Sequence, residues 1–293
     1  MLASTGGTLF RHHWPIARPP SPPLSYLQSG AVAIKERAVS IPLSLPKLRG
    51  PRTIAFFLDF DGTLVEFADR PDTISLAERT RDILTRLAAV TDGAVAIITG
   101  REIADLDRFL VPLRLPAAGI HGLTRRGPLG DNHAAPLDEH FLRHAEYLLA
   151  PLVLAEPGLL LERKSNAVAL HYRKRPDLED ACRAVMEHLA ALCPGIQITP
   201  GKMVFEAKPN RADKGTAIVD FLKEPPFAGR LPVVAGDDVT DEDAFAAVNA
   251  LDGITIKIGT GVTLAHHAAP DTAAFLDWLH ATALALENEA LNG

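Results

Sequence analysis

From residue 53 onward, short unbroken apolar runs alternate with stretches whose apolar residues recur every three or four positions. TIAFFLD (53–59) and GAVAIIT (93–99) carry no polar residue inside them, the pattern of strands covered on both faces. Between them Leu76, Ile83, Leu84 and Leu87 recur at helical intervals, which predicts a helix over 76–90. A short helix over 102–111 and a third strand over 116–121 follow. Strand-helix alternation of this kind predicts a parallel sheet with crossover helices.

The rhythm then changes. The pattern predicts a helix over 138–155, a hairpin over 159–173 turning at Ser165 and Asn166, and a helix over 177–193. A second hairpin, over 196–208, is predicted to turn at Pro200 and Gly201. This is a small antiparallel α+β module. After Pro209 the α/β rhythm returns, with a helix over 214–223, a strand over 231–238, a helix over 241–249, a strand over 253–259 and a closing helix over 271–291. The fold class is therefore α/β: a Rossmann-like parallel-sheet core over 51–122 and 209–293, with an α+β module inserted over 123–208. A chain of 293 residues has the length for both.

Composition changes the picture only at the start. Residues 1–50 hold seven of the 23 prolines, six Lys or Arg and one acid, a net +5, which leaves −11 for the remainder of a chain at −6. PIARPPSPPLS (15–25) can form neither a helix nor a paired strand, so a disordered tail is expected. A mis-assigned start and a targeting segment are the other readings of this stretch. No run approaches 18 apolar residues, and the acidic balance argues against nucleic-acid binding. Cys182 and Cys193 fall on one predicted helix, roughly 16 Å apart by its rise, so no disulfide is expected and a reducing cytosol fits. His140 and His144 lie four apart on a helix, but no third ligand stands at zinc-site spacing, which makes them a solvated face.

The chemistry sits at the ends of the predicted core strands, where open parallel sheets bind ligands. Asp59 and Asp61 end one strand, Thr99 and Arg101 follow the next, and Asp237 and Asp238 end a later one. Lys214 begins a helix aimed at the same rim. Two like charges 4 Å apart repel by roughly 4 kcal/mol at an effective dielectric near 20, so these carboxylates need cations. An all-oxygen cluster without Cys or His suits a hard divalent ion such as Mg²⁺, and Mg²⁺ attracts phosphate. Asp241 opens the next predicted helix and reads as a capping residue.

DFDGTL (59–64), ITGR (98–101), DKG (213–215) and GDDVTDED (236–243) occur in the order of the haloacid dehalogenase superfamily of phosphatases, which this chain resembles. The resemblance implies that Asp59 attacks phosphorus to form an aspartyl-phosphate and that Asp61 serves as acid, then base. It implies that Phe60, Gly62, Thr63 and Thr99 line the phosphate, and that Lys214 holds phosphate and nucleophile. Mg²⁺ would bind Asp59, the Asp61 carbonyl and Asp237, with Asp238 in the outer shell, and the inserted module would be a cap domain.

Within the superfamily, GIHG (119–122), LERKSNAVALHYR (161–173) and GKMVFEAKPNRADKG (201–215) resemble the trehalose-phosphate phosphatases. By that resemblance Lys164, Lys202 and Glu206 grip sugar hydroxyls, with Lys202 and Glu206 expected on one face of one strand. Arg101 and His121 would line the pocket from the core. The implied activity is Mg²⁺-dependent hydrolysis of trehalose 6-phosphate, the last step of trehalose biosynthesis, on a small-molecule phosphosugar in the cytoplasm, with no nucleic-acid or membrane partner and a monomer favoured. Three alternatives stay open: a phosphatase for another phosphosugar such as sucrose phosphate or mannosylphosphoglycerate, an inactive regulatory homologue, and a receiver-like signalling domain, although receivers lack the D-x-D pair and the inserted module.

Overall fold

The first half of the core consists of β1 (Ile54–Leu58), α1 (Glu78–Val90), β2 (Val95–Ile98), α2 (Ile103–Leu110) and β3 (Ala117–Gly119), followed by β4 (Thr124–Arg126) and β5 (Asn132–Ala134). The smaller unit contains α3 (Glu139–Ala155), β6 (Leu160–Arg163), β7 (Val168–His171), α4 (Glu179–Leu192), β8 (Ile196–Gly201) and β9 (Val204–Pro209). The core resumes with α5 (Lys214–Phe221), β10 (Leu231–Gly236), α6 (Asp241–Asn249), β11 (Ile254–Ile258), β12 (His267–Ala269) and α7 (Thr272–Asn292). These elements come from a computed structural model that describes residues 45–66, 75–134, 138–210 and 212–292.

The strands form an eight-stranded sheet in the order β12-β11-β10-β1-β2-β3-β4-β5 and a four-stranded sheet in the order β6-β7-β9-β8. Pairing is parallel from β12 to β3. β1 is buried throughout and serves two layers. Ile54, Phe56 and Leu58 pack with Leu84, Leu87 and Leu279, whereas Ala55 and Phe57 pack with Phe221, Phe227 and Phe245. At roughly 1.5–3 kcal/mol for each fully buried large side chain, this double cover fixes the strand and with it the backbone that follows Leu58.

The smaller sheet has a core of its own. Phe141 and Leu149 of α3, Met186 and Leu189 of α4, and Val168, Leu170, Phe205 and Ala207 of the strands form one cluster. Alternation along β9 therefore turns Glu206 and Lys208 to the opposite face. Cys182 and Cys193 are free thiols and buried.

Three features differ from the pattern read off the sequence. β4 and β5, counted there with the inserted module, continue the larger sheet antiparallel to β3. Their composition hides this: Arg126 is buried not by apolar alternation but by a fork to Asp107 at 2.7 and 2.8 Å and a bond to Leu115 O. The third strand stops at Gly119 because Ile120 and His121 both adopt left-handed backbone angles, φ 48° and 51°. The second hairpin turns at Lys202 and Met203, not at Pro200 and Gly201, which pair with Phe205 and Val204.

The tail expected over 1–50 lies outside the described residues up to position 44. Residues 45–50 pack on the core: Leu48 is buried, Trp278 Nε1 donates to Pro46 O at 2.9 Å, and Gly50 N donates to Glu289 Oε2 at 2.8 Å. Among the described residues, no helix is long and apolar enough to cross a membrane.

Candidate functional site

The chain leaves β1 toward β2 and β3 on one side and returns through β10 and β11 on the other. This reversal makes the carboxyl edge of β1 the switch point where an open α/β sheet binds its ligand. Asp59 follows β1, Thr99 follows β2 and Asp237 follows β10, so the strand-end residues singled out in the sequence converge on that one edge.

Asp59 is buried, and its Oδ1 accepts from Lys214 Nζ at 2.7 Å. Lys214 Nζ also donates to Asp241 Oδ1 at 2.8 Å. Lys214 opens α5, where a cation opposes the helix dipole. It is held there by a capping box, in which Asp213 Oδ1 accepts from Thr216 N at 2.7 Å and Thr216 Oγ1 accepts from Asp213 N at 3.0 Å.

The sequence places Asp241 as a cap of its own helix. Instead it is the first residue of α6, buried, and its Oδ2 accepts from the amides of Asp237 and Asp238, both at 3.0 Å. Gly236 makes this possible, since a Cβ there would lie 2.1 Å from Asp241 Cγ. The four-residue offset between Asp237 and Asp241 is the signal that could have found this residue.

One carboxylate oxygen from each of Asp59, Asp237 and Asp241 lies within 4.8 Å of the others. Three carboxylates against one bonded ammonium leave two negative charges. That excess shifts the protonation equilibria of the cluster. Burial pushes Asp59 well above the carboxylate range, against the pull of Lys214 and with the push of Asp241 and Asp237. Burial, Asp241 and Asp238 push Asp237 up to about 7. Lys214 is held protonated: its two carboxylates outweigh the cost of its burial. Asp237 Oδ1 is buried with no hydrogen-bond partner. An all-oxygen set with a twofold charge deficit and an orphaned ligand atom fits a hard divalent cation. Asp238, expected in the outer shell, is half-buried and outside this triad, with its Oδ1 on Val239 N at 2.8 Å. Lys257 of β11, which the sequence reading passed over, is buried and donates to the Asp237 carbonyl.

Asp61 occupies a different environment from Asp59. Both lie beyond the last residue of β1, with Phe60 between them, and the chain turns just after Asp61 at Gly62, φ 83°. Arg101 forks the Asp61 carboxylate with Nε and Nη2, both at 2.7 Å, and its guanidinium lies over Phe109 at 4.9 Å and Phe60 at 5.7 Å. Arg101, expected to line a sugar pocket, thus also holds Asp61. Phe60 is fully buried. Thr99 is buried, and its Oγ1 accepts from Arg101 N at 3.1 Å. Thr63 is buried with its Oγ1 unpartnered, a hydroxyl available to an incoming oxygen.

The smaller sheet meets this edge. Lys164 pairs with Glu206, both buried, and also donates to Gly100 O at 2.9 Å. Glu206 Oε1 lies 3.3 Å from His121 Nε2. Burial pushes the His121 pKa well down, with Lys208, Lys214 and Lys164 adding to the effect, so the ring is neutral and reads as a hydrogen-bonding group. Its left-handed backbone is a cost of about 1–3 kcal/mol of the kind retained at functional sites.

Lys202 is the exception to the expected geometry. It is exposed in the β8–β9 turn, not level with Glu206 on one strand. That turn still overlooks the core, because a Cβ on Gly201 would be 3.6 Å from Asp238 Oδ2. Arg163, next to Lys164, pairs instead with Glu146 of α3 at 2.6 Å. His140 and His144 are exposed on α3.

Replacing Lys214 by Met should strip two buried carboxylates of their shared cation. We expect a loss of about 3–5 kcal/mol in metal-free chemical unfolding. A change below about 1 kcal/mol would mean that the carboxylates do not depend on Lys214.

Comparison with known proteins shows the family to which the chain belongs. The family model described as Trehalose-phosphatase matches residues 57–275. The Escherichia coli K12 protein named trehalose-6-phosphate phosphatase is 40% identical over 238 residues, 81% of this chain and 90% of its own length. The Sinorhizobium fredii protein named probable trehalose-phosphate phosphatase is 43% identical over 212 residues, 71% of this chain and 78% of its own. Among solved structures, the C-terminal domain of C. albicans trehalose-6-phosphate phosphatase superposes with a TM-score of 0.72 at 21% identity, covering 80% of this chain and 93% of that one, a likeness of fold.

Proposed function

Because this chain belongs to the trehalose-phosphatase family and is a phosphatase of haloacid dehalogenase fold, we propose that it hydrolyses trehalose 6-phosphate to trehalose and phosphate, closing trehalose biosynthesis. The observation that carries the reading is the buried Asp59–Lys214–Asp241 centre at the switch point, with Asp237 Oδ1 and Thr63 Oγ1 unpartnered beside it. Asp59 is the nucleophile, and its carboxylate forms an aspartyl-phosphate as the P–O bond to the sugar breaks. Lys214 keeps that carboxylate aimed. Asp61 delivers the proton to the departing sugar oxygen and then takes one from the water that cleaves the aspartyl-phosphate. Thr63 and Thr99 bond the phosphate, with Phe60 and Gly62 shaping the loop around it.

Mg²⁺ is the cofactor we assign, on Asp59, the Asp61 carbonyl and Asp237, with Asp241 completing the acidic set and Asp238 outside it. Bound there, it supplies positive charge that offsets repulsion between nucleophile and phosphate.

The four-stranded sheet with α3 and α4 acts as the cap. Lys164, Glu206 and His121 meet at its seam with the core and offer donors and acceptors to sugar hydroxyls, and we assign Lys202, exposed in the β8–β9 turn, to the same hydroxyls. Arg101 lines the core side.

The test is phosphate release from a panel of sugar phosphates by Mg²⁺-loaded protein. Trehalose 6-phosphate should exceed sucrose phosphate, mannosylphosphoglycerate and glucose 6-phosphate by about tenfold or more in kcat/KM. Equal turnover of the others would overturn the substrate assignment.

A further inference from the structure

Glu102 occupies the N-cap position of α2, a place that favours Ser, Thr, Asp or Asn, and its side chain makes no capping bond there. Its carboxylate crosses instead to the tip of the β6–β7 hairpin. Ser165 N donates to Glu102 Oε1, and Ser165 Oγ lies 2.8 Å from Oε1 and 2.9 Å from Oε2. The neighbouring Lys164 donates to Gly100 O. Two adjacent hairpin residues thus grip two positions of the β2–α2 loop, on either side of Arg101.

We infer that Glu102 is a specificity-determining positioning residue: by holding Ser165 it seats the smaller sheet on the core, and so favours substrates that need both. The inference rests on the proposed phosphosugar activity. Arg101 is anchored from the core side by Asp61 and by the rings of Phe60 and Phe109. Loss of Glu102 therefore releases the hairpin and leaves Arg101 in place. Hydrogen bonds to a charged acceptor are the stronger class, but both residues reach solvent, which limits the expected effect to about tenfold.

The test compares the Mg²⁺-loaded full chain with its Glu102→Ala, Ser165→Ala and doubly substituted variants. Each is assayed on trehalose 6-phosphate and on p-nitrophenyl phosphate, which is too small to bridge to the hairpin. Glu102→Ala should raise KM for trehalose 6-phosphate about tenfold, with p-nitrophenyl phosphate kinetics changed less than about twofold. Ser165→Ala should act in the same direction but less, because its amide still donates. The double variant should be no worse than Glu102→Ala alone, the signature of one shared interaction. Equal losses on both substrates, additive losses, or no loss would each overturn the inference.

Amide hydrogen exchange reads the contact without any substrate. Ser165 N–H should be protected in the parent and lose about tenfold protection in Glu102→Ala. If the parent turns over p-nitrophenyl phosphate but not trehalose 6-phosphate, the substrate assignment falls and exchange alone decides. An unchanged Ser165 exchange rate then sinks the contact, and a rate raised about tenfold keeps it.

Discussion

Asp59→Asn should lower turnover of trehalose 6-phosphate by on the order of 10⁴-fold or more while making the metal-free protein more stable. The first effect follows from chemistry, since an amide cannot attack phosphorus as a carboxylate does. The second follows from electrostatics. Asp59, Asp237 and Asp241 crowd one buried locus and share one ammonium. Burial and the neighbouring carboxylates hold the Asp59 pKa well above its ordinary value, so its charge at neutral pH opposes folding. Asparagine keeps an oxygen for Lys214 and removes one charge. A displacement of one pK unit corresponds to about 1.4 kcal/mol, so a gain of about 1 kcal/mol or more is expected in chemical unfolding with chelator present. Near-parental phosphate release would sink the nucleophile assignment. A destabilised variant would show that Asp59 serves the fold more than it strains it.

Removing divalent metal should abolish turnover and also change how stability depends on pH. The direction follows from proton linkage. Asp237 rises from the ordinary 3.8 to about 7 in the folded chain, and Asp59 rises as well. Between those limits the folded protein binds more protons than the unfolded one, so metal-free stability falls as pH climbs from about 4 to about 7. Above that window Asp237 is ionised in both states, and the full cost of its crowded charge is present. Saturating Mg²⁺ should flatten this slope, because a cation that replaces the protons keeps the carboxylates ionised, and its binding should release protons. Melting temperatures across that pH range, with and without Mg²⁺, provide the check. Full activity in chelator would overturn the metal assignment, and a metal-free slope of opposite sign would overturn the account of the carboxylate cluster.

Much of this was legible in the sequence for identifiable reasons. The unbroken apolar runs at 53–59 and 93–99 have the length and composition expected of strands covered on both faces, and their order with the intervening helices implied a parallel sheet. Polar residues at the carboxyl ends of parallel strands collect at one edge, which groups Asp59, Thr99 and Asp237 from the sequence, with Lys214 at the start of a helix aimed at the same rim. The change of hydrophobic rhythm also marked out the hairpins that form the separate four-stranded sheet.

Other features were hidden because they depend on contacts between residues far apart in the chain. β4 and β5 are polar and are held by pairing to β3 and by the Arg126–Asp107 fork, so periodicity had nothing to register. The hairpin turn at Lys202 depends on the register of β8 against β9, a choice that moved Lys202 off the strand it was expected to share with Glu206. Asp241 looked like a helix cap because its local sequence is that of one. Only the approach of α5, bringing Lys214 across 27 positions, made it part of the acidic centre. The difference between Asp59 and Asp61, two residues apart, is likewise tertiary: one is buried against an ammonium and two carboxylates, the other is forked by Arg101 at the edge of solvent. Local sequence determines which strand or helix can form and which charges stand at its ends. Burial and distance, set by packing, decide what each charge then faces.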